Sequence, residues 1–117
     1  MAPAALSKGV VTFLFTDIAG STRLWERAPD AMALALERHD HVLRTILTKH
    51  GGTVFKTVGD AFCCSFEVPE AAVRAAIAAQ RALSAEQWPE ALGHVRTRIP
   101  VVTREGNSDK APSDWAF

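Results

Sequence analysis

The run Val10-Val11-Thr12-Phe13-Leu14-Phe15 is rich in β-branched and aromatic residues and shows no polar alternation. A stretch of this kind reads as a short strand buried on both faces, which commits the chain to a sheet covered by other elements. It runs into Thr16-Asp17-Ile18-Ala19-Gly20-Ser21-Thr22, where a carboxylate at the strand's end meets a Gly-Ser-Thr helix start. A second acidic residue lies in Lys56-Thr57-Val58-Gly59-Asp60. Two carboxylates at the ends of two strands, one beside a helix N-terminus, form a pattern suited to holding metal ions against phosphates.

The rest of the chain alternates between helical and strand patterns. Ser21 or Thr22 is expected to supply the N-cap oxygen of a short helix that Pro29 interrupts. A second helix is expected from about Pro29 to Lys49, because Met32, Leu36, Leu43, Ile46 and Leu47 recur at helical spacings. Gly51-Gly52 supplies its left-handed stop, and His50 suits the last turn of the helix dipole. Thr53 to Val58 and Ala61 to Phe66 read as a hairpin turning at Gly59-Asp60, which puts Asp60 at a tip. Pro69 opens a third helix whose apolar stripe is read as Val73, Ala76, Ile77, Gln80 and Leu83, ending before Trp88-Pro89. His94 to Ile99 supplies a fourth strand, so the expected fold is an α/β, ferredoxin-like βαββαβ split sheet. Residues 100–117 mix Pro, Gly, Asn, Ser and Asp without a period, and are expected to be an irregular tail behind a domain spanning 9–99.

Composition narrows the function. A chain of 117 residues with 48% hydrophobic content is one domain with a real core. Thirteen basic side chains balance thirteen acidic ones, so no long-range field draws the protein to nucleic acid or anionic lipid, and neither is expected as a partner. The N-terminal residues lack a basic segment followed by an apolar one, and no apolar stretch approaches the roughly 18 residues of a membrane span. Cys63 and Cys64 are adjacent in a predicted strand and point to opposite faces, so a disulfide between them would be strained. A reduced, cytoplasmic protein is the expectation. Neither a P-loop nor a Gly-x-Gly-x-x-Gly fingerprint occurs, and Trp25, Trp88 and Trp115 are too scattered for a nucleic-acid stacking platform. His39 and His41 are two apart on a helix and do not share a face, which argues against zinc.

Asp17 after a strand is ordinary cap chemistry when taken alone, and Gly59-Asp60 is ordinary hairpin chemistry. Taken together they say more. In a βαββ layout the end of the first strand and the tip of the following hairpin lie side by side, so both carboxylates converge on one place. Hard divalent cations take such oxygen ligands and keep waters for substrate phosphates. A helix starting near Gly20 adds backbone N–H groups at the same place, a combination that selects for a polyphosphate.

The run Phe15-Thr16-Asp17-Ile18-Ala19-Gly20-Ser21-Thr22, then His50-Gly51-Gly52, then Phe55-Lys56-Thr57-Val58-Gly59-Asp60-Ala61-Phe62, closely resembles the catalytic domain of class III nucleotidyl cyclases, the adenylate and guanylate cyclases. The resemblance covers roughly Gly9 to Ile99 and is strongest to bacterial members carried at the N-terminus of larger regulatory proteins. It implies that Asp17 and Asp60 are catalytic and hold two Mg²⁺ or Mn²⁺ ions, with the Ile18 carbonyl as a further ligand. The amides of Ala19, Gly20, Ser21 and Thr22 would lie against the substrate phosphates. Lys56 matches the position that contacts adenine, where guanylate cyclases typically carry Glu, so the resemblance implies ATP rather than GTP and a product of cyclic AMP with pyrophosphate. It further implies a head-to-tail homodimer, or a heterodimer with another cyclase domain.

The chain departs from the family pattern after Ile99. The family continues with a Gly-x-His-x-Gly-like turn and a helix bearing Asn with Arg four positions later; here Asn107 is followed at that distance by Ala111. The expectation is a truncated cyclase domain with a foreign tail, as a frameshift would leave, weak or inactive alone. The alternative is a non-catalytic nucleotide- or metal-binding module that acts by pairing with an intact cyclase chain.

Overall fold

The structure, a computed structural model, describes residues 10–105. Strand β1 (Val10–Ile18) leads through a tight turn into helix α1 (Ser21–Arg27) and, after Ala28, helix α2 (Pro29–Lys49). Strands β2 (Thr53–Val58) and β3 (Ala61–Phe66) form the hairpin, and helix α3 (Pro69–Ala85) follows. A short 3₁₀ turn at Glu90–Leu92 precedes β4 (Thr97–Arg98) and β5 (Val101–Glu105). The sheet runs β2-β3-β1-β4, with β5 also paired to β1, and every pairing is antiparallel. This is the split βαββαβ arrangement expected from the sequence.

The last strand overturns part of that expectation. Ile18 faces Thr97, Asp17 faces Arg98, Leu14 faces Val101 and Val10 faces Glu105, a single unbroken register. β4 and β5 are therefore one edge strand interrupted at Ile99-Pro100, where proline has no N–H to give the ladder. The Phe15 amide still donates to the Pro100 carbonyl at 3.0 Å. Val101 to Glu105 thus continues the sheet instead of forming irregular tail. The β-branched run Val101-Val102-Thr103 suits a strand, and an open edge of β1 was there to pair with it. Asn107 and the rest of the tail lie outside the described residues.

Both long helices pack on one face of the sheet. Leu14, Phe62, Cys64 and Phe66 from the strands meet Leu43 and Leu47 of α2 and Ala72, Ala75 and Ala79 of α3. On α3 the buried stripe is Ala72, Ala75, Ala79 and Leu83, while Val73 and Ile77 are half exposed, so the expected stripe is turned by one residue. Alanines on the inner face let α3 approach α2 and the sheet closely, and the larger side chains are left outside. A second cluster around Ile18, Leu24, Met32 and Leu92 closes the end of the sheet where β1 turns into α1.

The helix ends also differ in detail from the reading. Gly20, at φ 68°, is the N-cap of α1 and makes no side-chain cap bond, so Ser21 and Thr22 lie inside the first turn. A left-handed residue is needed to swing the chain out of β1, and glycine takes that conformation freely. The two cysteines are free and buried, and burial pushes the Cys64 thiol up to about 12, with Cys63 adding to the effect. No helix among the described residues is long and apolar enough to cross a membrane.

Gly52 shows how tightly the α2–β2 junction is packed. A Cβ there would stand 2.6 Å from Cys64 Sγ, 2.6 Å from Phe66 Cζ and 2.9 Å from the Leu47 carbonyl oxygen. Gly52→Ala is therefore expected to cost about 1–3 kcal/mol, an overpacking penalty, measured as a lower midpoint in urea with unchanged slope.

Candidate active site

The site grows out of the alternation of β1. Odd residues of β1 bond toward β4 and β5: Phe15 donates to Pro100, and Ala19 just beyond donates to the Arg96 carbonyl at 2.8 Å. In a central antiparallel strand the even residues must then bond toward β3. Thr16 faces Phe62, so Ile18 comes opposite Asp60, one residue before β3 begins. There the ladder changes character, because the Ile18 amide donates to Asp60 Oδ2 at 2.9 Å. The main-chain rung is replaced by a carboxylate.

Asp17 projects on the sheet face opposite the helices, as do Phe13 and Phe15 at the same parity. Its direct neighbour across the strands is Arg98. The guanidinium grips both carboxylate oxygens, Nε to Oδ1 at 2.8 Å and Nη2 to Oδ2 at 2.7 Å. The hydrogen bond from Asp17, then its charge, and finally the charge of Asp60, hold the Arg98 guanidinium above its ordinary range. Both side chains are substantially solvated, so the pair is a geometric device more than a source of stability. A cleft of about 680 Å³ opens beside it, lined by Phe15, Thr16, Asp17, Ala61, Phe62, Arg98, Ile99 and Pro100.

The sequence-derived residues fall into three groups. Asp17, Ile18 and Asp60 come together. Gly20, Ser21 and Thr22 form the adjoining turn, where first-turn amides have no intrahelical acceptor, but the Ala19 amide is already used by Arg96 and is not available to a phosphate. Lys56 lies across the sheet. It faces Cys63, which in turn faces Phe15, so Lys56 shares the sheet face of Asp17 with β3 between them. Two strand spacings, about 10 Å, separate their strands. Among the described residues no three His, Cys, Asp or Glu side chains gather as a metal cage, and His39 and His41 take different environments, one buried and one exposed.

Arg98 was missed by sequence reasoning. Its only signal is its place in the alternation of Thr97 and Arg98, which becomes informative once the register against β1 is known. The local sequence does not reveal that register, because it is set by a pairing across 81 residues.

A split antiparallel sheet that brings two carboxylates and an arginine around the end of its central strand is in keeping with a domain of the nucleotide-cyclase type. Comparison with known proteins agrees. The profile of the adenylate and guanylate cyclase catalytic domain matches residues 4–90. The chain is 37% identical over 98 residues to an adenylate cyclase of Lachancea kluyveri, covering 84% of this chain and 5% of that protein. It is 34% identical over 103 residues to the receptor-type adenylate cyclase ESAG 4 of Trypanosoma brucei brucei, covering 87% of this chain and 8% of that one. A solved structure of Trypanosoma brucei adenylate cyclases in their monomeric state superimposes with a TM-score of 0.77 at 28% identity, covering 85% of this chain and 58% of that chain. The chain belongs to the adenylate and guanylate cyclase catalytic-domain family. It spans a small part of the curated relatives' length and little more than half of the solved domain.

The Asp60 rung can be checked without any ligand. Asp60→Ala removes the acceptor of the Ile18 amide and is expected to speed its hydrogen exchange and cost about 1–2 kcal/mol, whereas Asp60→Asn keeps an oxygen acceptor and most of the protection. Equal protection in both variants would show that Asp60 does not hold the end of β1.

Proposed function

We propose that this chain is the first part of a class III adenylate cyclase domain that takes ATP to 3′,5′-cyclic AMP and pyrophosphate, and that it is weak without a complementary cyclase chain. The single observation that carries this reading is the meeting of Asp60 with the Ile18 amide one residue from Asp17. A metal fits the donor set. The carboxylates of Asp17 and Asp60 are oxygen ligands of the kind Mg²⁺ or Mn²⁺ takes, and the strand alternation turns the Ile18 carbonyl toward the Asp60 side. Bound there, one divalent ion would acidify the ribose 3′-hydroxyl and a second would neutralise charge on the leaving pyrophosphate. The first-turn amides of Ser21 and Thr22 would lie against the phosphates.

Lys56 supports ATP over GTP. An ammonium donates to an adenine ring nitrogen but offers no acceptor to the donor edge of guanine. One solved guanylyl cyclase domain, that of the RhoGC fusion protein from Blastocladiella emersonii, is described as a non-canonical dimer and others as monomers, so pairing rests here on the sequence resemblance. Two copies of this chain, or this chain and a second cyclase domain, would then share one nucleotide between the metal ligands of one and the base contact of the other, in the cytoplasm.

Two experiments test this. Mn²⁺ at about a hundredfold excess over its Kd is expected to stabilise the chain by about 2.7 kcal/mol, and Asp17→Asn should abolish most of the rise in Tm. A mutant that responds like the wild-type chain sinks the metal assignment. In a paired assembly, Lys56→Glu is expected to weaken ATP binding roughly tenfold or more while improving GTP binding, read by calorimetry. Unchanged ATP affinity would return Lys56 to the role of a strand residue outside the base site.

A further inference from the structure

His39 is fully buried in the helix layer and takes no part in the site described above. It lies on the inner face of α2 with Met32, Ala35 and Leu43, positions otherwise apolar. Its Nδ1 is 3.2 Å from Asp40 Oδ1 and its Nε2 is 3.0 Å from Thr97 Oγ1. A carboxylate only accepts, so Nδ1 carries the proton, and in the neutral imidazole Nε2 accepts from the threonine hydroxyl. α3 reaches the same residue, since Gln80 Nε2 donates to the Thr97 carbonyl at 2.8 Å. Thr97 faces Ile18 in the non-hydrogen-bonded type of pair, which turns its carbonyl away from β1 and toward Gln80. The Thr97 hydroxyl and carbonyl are thus held by the two helices.

The residue after Thr97 is Arg98. The pleat sends successive side chains to opposite faces, so the strand that sends Thr97 into the helix layer sends Arg98 to the Asp17 face. This strand segment is two residues long, and the ladder loses a rung at Pro100. It needs a hold that the sheet alone supplies poorly. An apolar residue at position 39 would fill the same space, yet it would leave the Thr97 hydroxyl without that partner and impose no register on the strand. A hydrogen bond has a direction and a length, and dispersion contacts have neither so sharply.

We infer that His39 is a positioning residue: acting through Thr97, with Gln80 as a second clamp, it fixes the Arg98 guanidinium on the Asp17 carboxylate. Its meaning for catalysis rests on the proposed role of Asp17 in the metal and phosphate site. The fork of Arg98 and a divalent ion compete for the same two oxygens. The pin on Thr97 therefore sets how tightly Asp17 is held when no metal is bound.

The test reads Arg98 directly. Solvent exchange of the Arg98 Nε–H is followed by ¹⁵N NMR on the full chain, the signal being identified by its loss in Arg98→Lys. Thr97→Val, nearly isosteric without the hydroxyl, and His39→Leu are each expected to speed that exchange about fivefold, the equivalent of one ordinary hydrogen bond. Leu43→Val weakens the same helix without touching Thr97 and should leave the exchange unchanged. By calorimetry, Thr97→Val should lower the Mn²⁺ concentration at half-saturation, and the effect should vanish in an Arg98→Gln background. Wild-type exchange in Thr97→Val, or equal acceleration in Leu43→Val, overturns the inference. If His39→Leu does not fold, Thr97→Val decides alone. A wild-type chain that ignores Mn²⁺ while Arg98 responds as described would refute the metal reading and leave the positioning role standing.

Discussion

The pairing of β1 on both of its edges is the constraint on which the rest of the structure depends. One strand accepts β3 on one side and the β4–β5 edge on the other, so its even and odd residues are sorted into two hydrogen-bonding directions as well as two faces. Leu14 and Ile18 face the helices and anchor the two apolar clusters. Asp17 faces the other way and meets Arg98, while the amide of Ile18 turns to Asp60. The site follows from where this strand stops: on the β3 side its last rung has a carboxylate for a partner instead of main chain.

Much of this was legible because it is local. The apolar run at Val10, the helix stop at Gly51-Gly52 and the Gly59-Asp60 turn each carry a short-range signal, and the structure keeps all three. Gly51 and Gly59 both have positive φ, the conformation for which a glycine was read at each place. The convergence of Asp17 and Asp60 followed from the βαββ order alone. What escaped was long-range. The strand at Val101 to Glu105 lies among turn-forming residues, and only the open edge of β1 selects it. The buried face of α3 escaped for a related reason. A stripe drawn through Val73 and Ile77 is more hydrophobic than one drawn through alanines, but close packing against α2 favours the small residues.

Arg98 bears on how the two carboxylates are tolerated. Asp17 and Asp60 lie at adjacent strand ends, and two like charges in that position repel. Asp60 offsets this in part by accepting a main-chain amide, and Asp17 by a bidentate grip from an arginine that carries its charge at any physiological pH. Arg98 balances one carboxylate charge and the other is hydrogen-bonded but not neutralised, so an incoming cation does not meet two bare carboxylates. It meets one oxygen of Asp60 bound to the end of β1 and a pair at Asp17 that has to open.

That opening is where the helix layer bears on the sheet's other face. A pair exposed to solvent is held weakly by its own attraction, since water and salt screen it. Its geometry has to come from the backbone beneath it, and on the β4 side that backbone is a two-residue segment interrupted at Ile99-Pro100. Thr97 is the point where the segment is tied down, by a buried imidazole from α2 and an amide from α3. Since Thr97 and Arg98 are adjacent and alternate in direction, a bond made inside the helix layer fixes a charge on the opposite side of the sheet. A buried histidine in an otherwise apolar stripe thus has a physical reason: it transmits position across one strand, and an apolar side chain of the same volume would not.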